Sequence, residues 1–321
     1  MTWRNWARSQ RATPTAVLRP EDADEVAGIV RAAHERGARV KPVGAGHSFS
    51  AVAVPEGIQL DLARLSGLLD VDAAAGEATF AAGTPLHAIG DLLAPHGLAL
   101  ESMGDIDRQT IAGAVSTGTH GTGLAYGSIG STIVAATLVT GTGEVLRVSG
   151  TEHPELLPAV RLGLGALGVL VDVTLRCVPA FTLHARERVE PLEEVLDAWR
   201  ERAAGDDHVE WYWFHGTDVA ITMTRTRGPA DAAPLGPGTI RRVVERKADI
   251  STLRGHSDDM FAAAERGDFS SLMQSDESFH RDLIKAADHA LMLTMWDNLY
   301  LRIRQIMALR NSANRDLREV A

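Results

Sequence analysis

His47 stands directly behind a glycine-spaced turn, Gly44-Ala45-Gly46, and directly before the hydroxyl of Ser48. Glycine can take backbone angles closed to other residues and lets a ligand approach the main chain. Successive N–H groups in such a turn make an anion-binding concavity. The imidazole either bonds to a nearby backbone carbonyl or acts as a nucleophile, which its neutral form can do near neutral pH. Two further glycine-rich segments lie downstream, Gly104 to Ser128 and Gly163 to Gly168. Each alone reads as a tight turn; together, three separated turns can bring backbone amides to one diphosphate. Gly163, Gly165 and Gly168 have bare G-x-G-x-x-G spacing, but they lead into a strand rather than a helix, so no Rossmann fingerprint is present.

The elements that must carry these turns alternate between strands and helices. After Pro20 and a cluster of acidic residues, Val26, Ile29, Val30 and Ala33 repeat at helical spacing, and Gly37 supplies a stop. The stretch 38–44 reads as a short strand entering the first turn. Stretches 57–65, 76–86 and 130–148 are strand-like, rich in β-branched residues and broken by glycines. Residues 157–181 read as a short helix, a glycine turn and a long strand ending at Pro179. A new unit then begins, with strand 181–190, helix 192–205 and strands 208–218 and 219–227. Between Gly228 and Gly238 proline and glycine crowd together as in a linker. Beyond Thr239 there is neither a strand pattern nor a proline, and Met295, Leu299, Ile303 and Ile306 form a helical apolar stripe. The fold class is therefore α+β, with three divisions expected at 1–180, 181–232 and 233–321.

Bulk properties narrow the function classes. A chain of 321 residues with 45% hydrophobic and 23% charged residues has ordinary soluble globular composition. A net charge of −10 opposes nucleic acid as a partner. The single cysteine, Cys177, excludes an internal disulfide and any multi-cysteine metal site. No apolar run is long enough to span a bilayer, and no signal-peptide core opens the chain, so the expected location is cytoplasmic.

Residues from about Pro14 to Phe181 resemble the FAD-binding (PCMH-type) domain of the vanillyl-alcohol-oxidase-type flavoproteins. The resemblance rests on the stretches 40–50, 104–123 and 163–181. It is nearest the sugar-lactone branch, the gulono-, galactono- and D-arabinono-1,4-lactone oxidases and the alditol oxidases. Residues 208–227 resemble the opening of that branch's cap, so the likeness runs to about 227 and implies a two-lobed flavin domain with a partial α+β cap. It also implies that His47 carries the flavin through an 8α-histidyl bond, which raises the flavin's potential for hydride abstraction. Cys177 falls outside the segment where some relatives form a second, cysteinyl bond, so a single attachment is expected. By the same carry-over, the backbone at Val43, Gly44, Ala45, Gly46 and Ser48 would wrap the diphosphate. Gly104, Asp105, Ile106, Gly113, Ser116, Thr117, Thr119, His120 and Gly123 would line the dinucleotide and the flavin face, although His120 reads equally as a loop histidine. Gly168, Val169 and Val173 would contact the adenine half.

From about residue 240 onward the chain resembles a different family, the helical FCD-type ligand-binding domain of GntR-family transcription regulators. The stretch Ser275 to Leu293 carries the likeness. Asp276 and His280, four apart, project from one helical face. In that family the pair supplies two ligands of a divalent metal; without that context such a pair is a surface hydrogen bond. Two ligands bind metal weakly, since sites need three or four protein groups. The likeness implies an all-α partial bundle able to self-associate through its apolar stripe.

Together the resemblances imply an FAD-linked oxidase or dehydrogenase acting on the CH–OH group of a sugar lactone or polyol. Oxygen or an electron carrier would take the electrons. Charged substrate clamps of the branch come from a later segment that finds no match after about Arg227, so impaired catalysis and unassigned catalytic residues are expected. The rival is a small-acid or metal-sensing regulatory fragment fused to a flavin domain; against it stand the acidic charge and the lack of a DNA-reading element.

Overall fold

The computed structural model describes residues 2–213, 217–231 and 250–286. Two compact units divide the chain. The first comprises 1–184, 203–209 and 225–230, and the second 185–202, 210–224 and 231–321. Strands of the 181–232 segment fall in both units.

The first unit is built on a small parallel sheet and a larger antiparallel one. After the short hairpin β1 (Trp3–Arg4) and β2 (Arg11–Ala12) come β3 (Ala16–Leu18), helix α1 (Ala23–Glu35), β4 (Val40–Val43) and β5 (Ile58–Asp61). Strand β5 lies between β3 and β4, parallel to both, with Ile58 opposite Ala16 and Val40. Parallel strands need crossover connections: α1 carries the chain from β3 across to β4, and the segment 44–57, which holds the His47 turn, returns it to β5 between them. The Asp22 side chain caps α1 by accepting from the Glu25 N–H at 2.8 Å, and Gly37, at φ +63°, ends it. Its face of Val26, Ala27 and Val30 packs with Leu60 and Leu62 into one core.

The antiparallel sheet has five strands in the order β10-β9-β11-β7-β6. These are β6 (Leu68–Asp72), β7 (Glu77–Ala81), β9 (Ile133–Val139), β10 (Val145–Ser149) and β11 (Val169–Arg176). Helices α2 (Leu86–Leu93) and α3 (Ile111–Ser116) bury Leu86, Ile89, Leu93, Ile111 and Val115 with Phe80 in a second core. The short α4 (Leu157–Val160) precedes the third glycine turn, and β8 (Leu98–Ala99) pairs with β12 (Val178–Pro179). A three-stranded sheet follows in the order β13-β15-β14, made of β13 (Phe181–Pro191), β14 (His208–Trp213) and β15 (Val219–Pro229), with α5 at Leu192–Gly205.

In the second unit, Glu190 accepts two hydrogen bonds from Arg202, at 2.7 and 3.0 Å, and one from Thr222. The guanidinium beside it, aided by the Thr222 hydroxyl, holds the Glu190 carboxyl below its usual range against the opposing effect of burial. Helices α6 (Ile250–Glu265) and α7 (Phe269–Ala286) pack as a pair on Ala263, Ala264, Leu272 and Met273. The turn between them closes at Gly267, and Asp268 accepts from the Ser271 N–H at 3.1 Å. The stripe of Met295, Leu299, Ile303 and Ile306 lies outside the described residues.

Candidate flavin-binding site

Two clefts in the first unit gather most of the sequence-derived flavin-site residues. The first has a volume of about 1040 Å³ and is lined by the turn from Val43 to Ser48, by Gly113, Ser116 and Thr117 of α3 and its cap, and by Gly163 to Gly168. All three glycine-rich segments therefore contribute backbone to the first unit, and residues of each line this cleft. Leu138, Leu164, Leu167 and Leu170 add apolar lining.

The turn itself is laid out for an anion. No backbone N–H of Ala45, Gly46, His47 or Ser48 donates to an acceptor among the described residues. Ala45 is exposed and Gly46, His47 and Ser48 are half-buried, and a row of such unbonded donors beside a cleft is suited to an anionic ligand. The segment packs tightly against α3. A methyl group on Gly44 would be driven into the Thr110 hydroxyl, which caps α3 by accepting from the Gly113 N–H at 3.3 Å. At the other wall Gly168, at φ +148°, lies against the Val139 carbonyl and has no room for a side chain. His47 is half-buried, and its ring stacks on the Trp6 indole with centroids 5.3 Å apart and planes 18° from parallel.

The second cleft, about 1330 Å³, is lined among others by Ser102, Gly104, Asp105, His120, Phe181 and His208. Gln109, which lines the first cleft, donates at 3.0 Å to Thr119, the neighbour of His120 on the second. The Nδ1 atom of His120 lies 2.8 Å from the Gly121 carbonyl, so one ring nitrogen is committed locally. The Ser102 hydroxyl is buried with no hydrogen-bond partner among the described residues.

Four residues near this cleft escaped sequence reasoning. Tyr126 donates to Asp207 at 2.7 Å, and the other oxygen of Asp207 accepts the Arg227 N–H, also at 2.7 Å. The Arg227 guanidinium lies over the rings of Tyr126 and Phe181, at 4.5 and 4.2 Å. His208 stacks on Tyr126 at 5.0 Å and bonds to the Thr122 carbonyl at 2.8 Å. The Arg227 N–H and then the Tyr126 hydroxyl hold the Asp207 carboxyl below its usual range. Burial, helped by the bond to Asp207, pushes the Tyr126 phenol up, so the shared proton stays on the tyrosine. No motif in the sequence joins Tyr126 to residues some eighty positions later.

Five of the sequence-derived residues, Ile106, Thr119, Gly123, Val169 and Val173, line neither of these clefts. Val173 is fully buried among Phe80, Ile133 and Leu175, and Val169 is buried against the α1 core, so neither lines the first cleft; Leu138 and Leu170 do. Strand β11 carries a bulge between Leu170 and Asp172, which breaks the simple alternation of faces. Ile106 is 56% exposed and lines neither cleft. In the helical pair, Nδ1 of His280 lies 3.4 Å from an Asp276 carboxylate oxygen and 2.9 Å from the Asp276 carbonyl. Among the described residues no third metal-ligating side chain joins them. No helix there is long and apolar enough to cross a membrane.

Comparison with known proteins agrees with this layout. Residues 14–149 match the model of the FAD binding domain, 173–253 that of D-arabinono-1,4-lactone oxidase, and 233–321 that of the FCD domain. L-Gulono-1,4-lactone dehydrogenase of Mycobacterium tuberculosis is 42% identical over 76% of this chain and 56% of its own length. D-Arabinono-1,4-lactone oxidase of Eremothecium gossypii is 36% identical over 66% of this chain and 41% of its own length. L-Gulonolactone oxidase of Scyliorhinus torazame is 36% identical over 70% and 51%. The chain thus spans about half the length of the curated relatives it matches. Among solved structures, cholesterol oxidase from B. sterolicum superposes with a TM-score of 0.67 at 19% identity, over 89% of this chain and 58% of that one, a likeness of fold alone. Residues 14–149 thus match an FAD-binding domain, similar in sequence to the sugar-lactone oxidoreductases, followed by a segment that matches their lactone-oxidase part and one that matches an FCD domain.

Proposed function

We propose that the chain belongs to an FAD-dependent oxidoreductase that takes hydride from a CH–OH group of a sugar 1,4-lactone, with His47 as the covalent attachment point of the flavin. The N–H groups of the His47 turn carry the reading, because they lie on a cleft that several leucines also line. FAD, a diphosphate between two flat ring systems, has the chemistry that this lining fits. Ala45, Gly46, His47 and Ser48 would hold the diphosphate, with Gly113, Ser116, Thr117 and Gly168 closing around it. Gly104, Asp105 and His120, on the second cleft, would meet the flavin end. When bound, the flavin accepts the hydride, while the protein supplies binding and orientation.

The family's substrate class extends to this chain as a gulono- or arabinono-lactone, supported by the identities of its relatives. Oxygen or an electron carrier would reoxidise the flavin. In the FCD-type part, Asp276 and His280 would contribute two ligands to a divalent metal.

Acid precipitation of purified protein tests the attachment. Yellow colour retained in the precipitate, and lost in His47→Ala, is the expected result; complete release of flavin from the wild type overturns it. Anaerobic bleaching of the flavin by L-gulono-1,4-lactone or D-arabinono-1,4-lactone tests the substrate class, and no bleaching by either overturns that part.

A further inference from the structure

The hairpin that precedes the flavin-binding domain is fastened to the His47 turn and its exit at three carbonyls, those of Gly46, Ser48 and Phe49. The Trp6 N–H donates to the Gly46 carbonyl at 2.8 Å. Asn5, only 2% exposed, donates to the Ser48 carbonyl at 2.9 Å and to Ser9 at 3.0 Å, while its own carbonyl accepts the Gln10 N–H at 2.9 Å. Ser9 donates to the Phe49 carbonyl at 3.2 Å. The Gly46, Ser48 and Phe49 carbonyls thus bond to the hairpin, whereas the N–H groups of Ala45 to Ser48 donate to nothing among the described residues.

Trp6 itself is 64% exposed, although tryptophan is usually well covered. Its indole stacks on His47 and meets the Phe49 ring edge-on at 6.2 Å. An apolar ring left in solvent, yet seated by a buried asparagine and laid flat against an imidazole, serves the imidazole better than it serves the core.

We propose that Trp6 is a positioning residue that fixes the orientation of the His47 ring for covalent flavin attachment, with Asn5 holding the hairpin in place. The inference rests on the reading of His47 as the attachment point. In that step a bond forms between a ring nitrogen and the 8α carbon of the flavin. One proton leaves the 8α methyl group and one leaves the imidazole. The two electrons released pass through the flavin to dioxygen, giving hydrogen peroxide. The nitrogen lone pair must point at the carbon, and free rotation of the ring would sweep it away. Holding reacting atoms in line is worth orders of magnitude in rate, and the stack narrows that rotation at no cost to the turn.

The test follows covalent incorporation over time after FAD is added in air to full-length apoprotein. Wild type, Trp6→Phe, Trp6→Leu and Trp6→Ala are compared by flavin fluorescence in denaturing gels. Non-covalent FAD affinity is measured for the same substitutions in a His47→Ala background. The expected result is attachment slowed about tenfold or more in Trp6→Leu and Trp6→Ala. Trp6→Phe, which keeps a flat ring, recovers most of the rate, and FAD affinity changes less than about twofold. Should Trp6→Ala fail to fold, the contrast between Phe and Leu still decides. Attachment at the wild-type rate in Trp6→Leu overturns the inference, as does a fall in FAD affinity parallel to the fall in rate. A wild type that never attaches flavin overturns the His47 reading, and this inference with it.

Discussion

Gly44 and Thr110 approach so closely that a single methyl group on the glycine would be driven into the threonine hydroxyl. The contact locks the anion-binding turn against the start of α3, two segments that line the first cleft together. Gly44 has no left-handed backbone, so alanine would be excluded by space alone.

Gly44→Ala is therefore expected to cost about 1–3 kcal/mol of stability through overpacking and to weaken FAD binding about tenfold or more, since the turn must shift to admit the methyl group. Thr110→Ala alone loses a helix cap worth about 1 kcal/mol. In the double variant the clashing hydroxyl is gone, so the combined cost should fall short of the sum by about 0.5 kcal/mol or more. Urea midpoints of the four proteins measure the coupling; strict additivity would mean that the two residues do not constrain each other.

The Tyr126–Asp207 pair makes stability depend on pH at both ends. Asp207 has its pKa depressed in the folded state, so its share of stability is present above the unfolded value, about 4. That share is lost as pH falls through the lower folded value. Glu190 in the second unit behaves alike. Tyr126 has its pKa raised, so its share is present below about pH 10 and is lost as pH rises through the higher folded value. Unfolding midpoints across pH should show a plateau with two falling flanks. Asp207→Asn should flatten the acid flank and Tyr126→Phe the alkaline one; flanks unchanged in both variants would remove the pair from the explanation.

How much of this could be read in advance depended on whether the cause was local. Helix α1 was legible because its cap, its apolar face and its stop all lie within sixteen residues, from Asp22 to Gly37. The His47 turn was legible because glycine spacing states a backbone requirement directly. The stack of Trp6 on His47 was not, since forty-one positions separate them and nothing in either residue type demands the other. The placement of Val173 failed for a different reason. The bulge in β11 changes which side chains face the helices, and a bulge leaves no trace in a run of valines and leucines.

Cys177 is buried, and burial, with the nearby Glu77 charge, pushes its thiol up to about 11. A thiol that stays protonated at neutral pH is a poor nucleophile, so this residue should not form a second bond to flavin. Ellman's reagent at pH 8 should leave the folded protein unmodified and titrate one thiol in urea. Rapid reaction in the native state would show that the strand end carrying Cys177 opens readily.

Asp276 and His280 offer the sharpest test of the helical part. Because the Asp276 carbonyl lies 2.9 Å from Nδ1 of His280, that nitrogen carries the proton, so a metal would have to be held through Nε2. With one carboxylate and one imidazole nitrogen, and no third ligating side chain among the described residues, zinc should bind with a Kd above about 1 µM. A second histidine–carboxylate contact joins the same two helices, with Nε2 of His256 3.0 Å from Asp282, so the ring nitrogen that could have helped is already engaged. Calorimetric titration of zinc into wild type and Asp276→Ala/His280→Ala decides the matter. Weak heats, reduced further in the double variant, are expected. Nanomolar binding abolished by the double variant would mean that groups beyond the described residues complete the shell, and the pair would then be part of a working metal site.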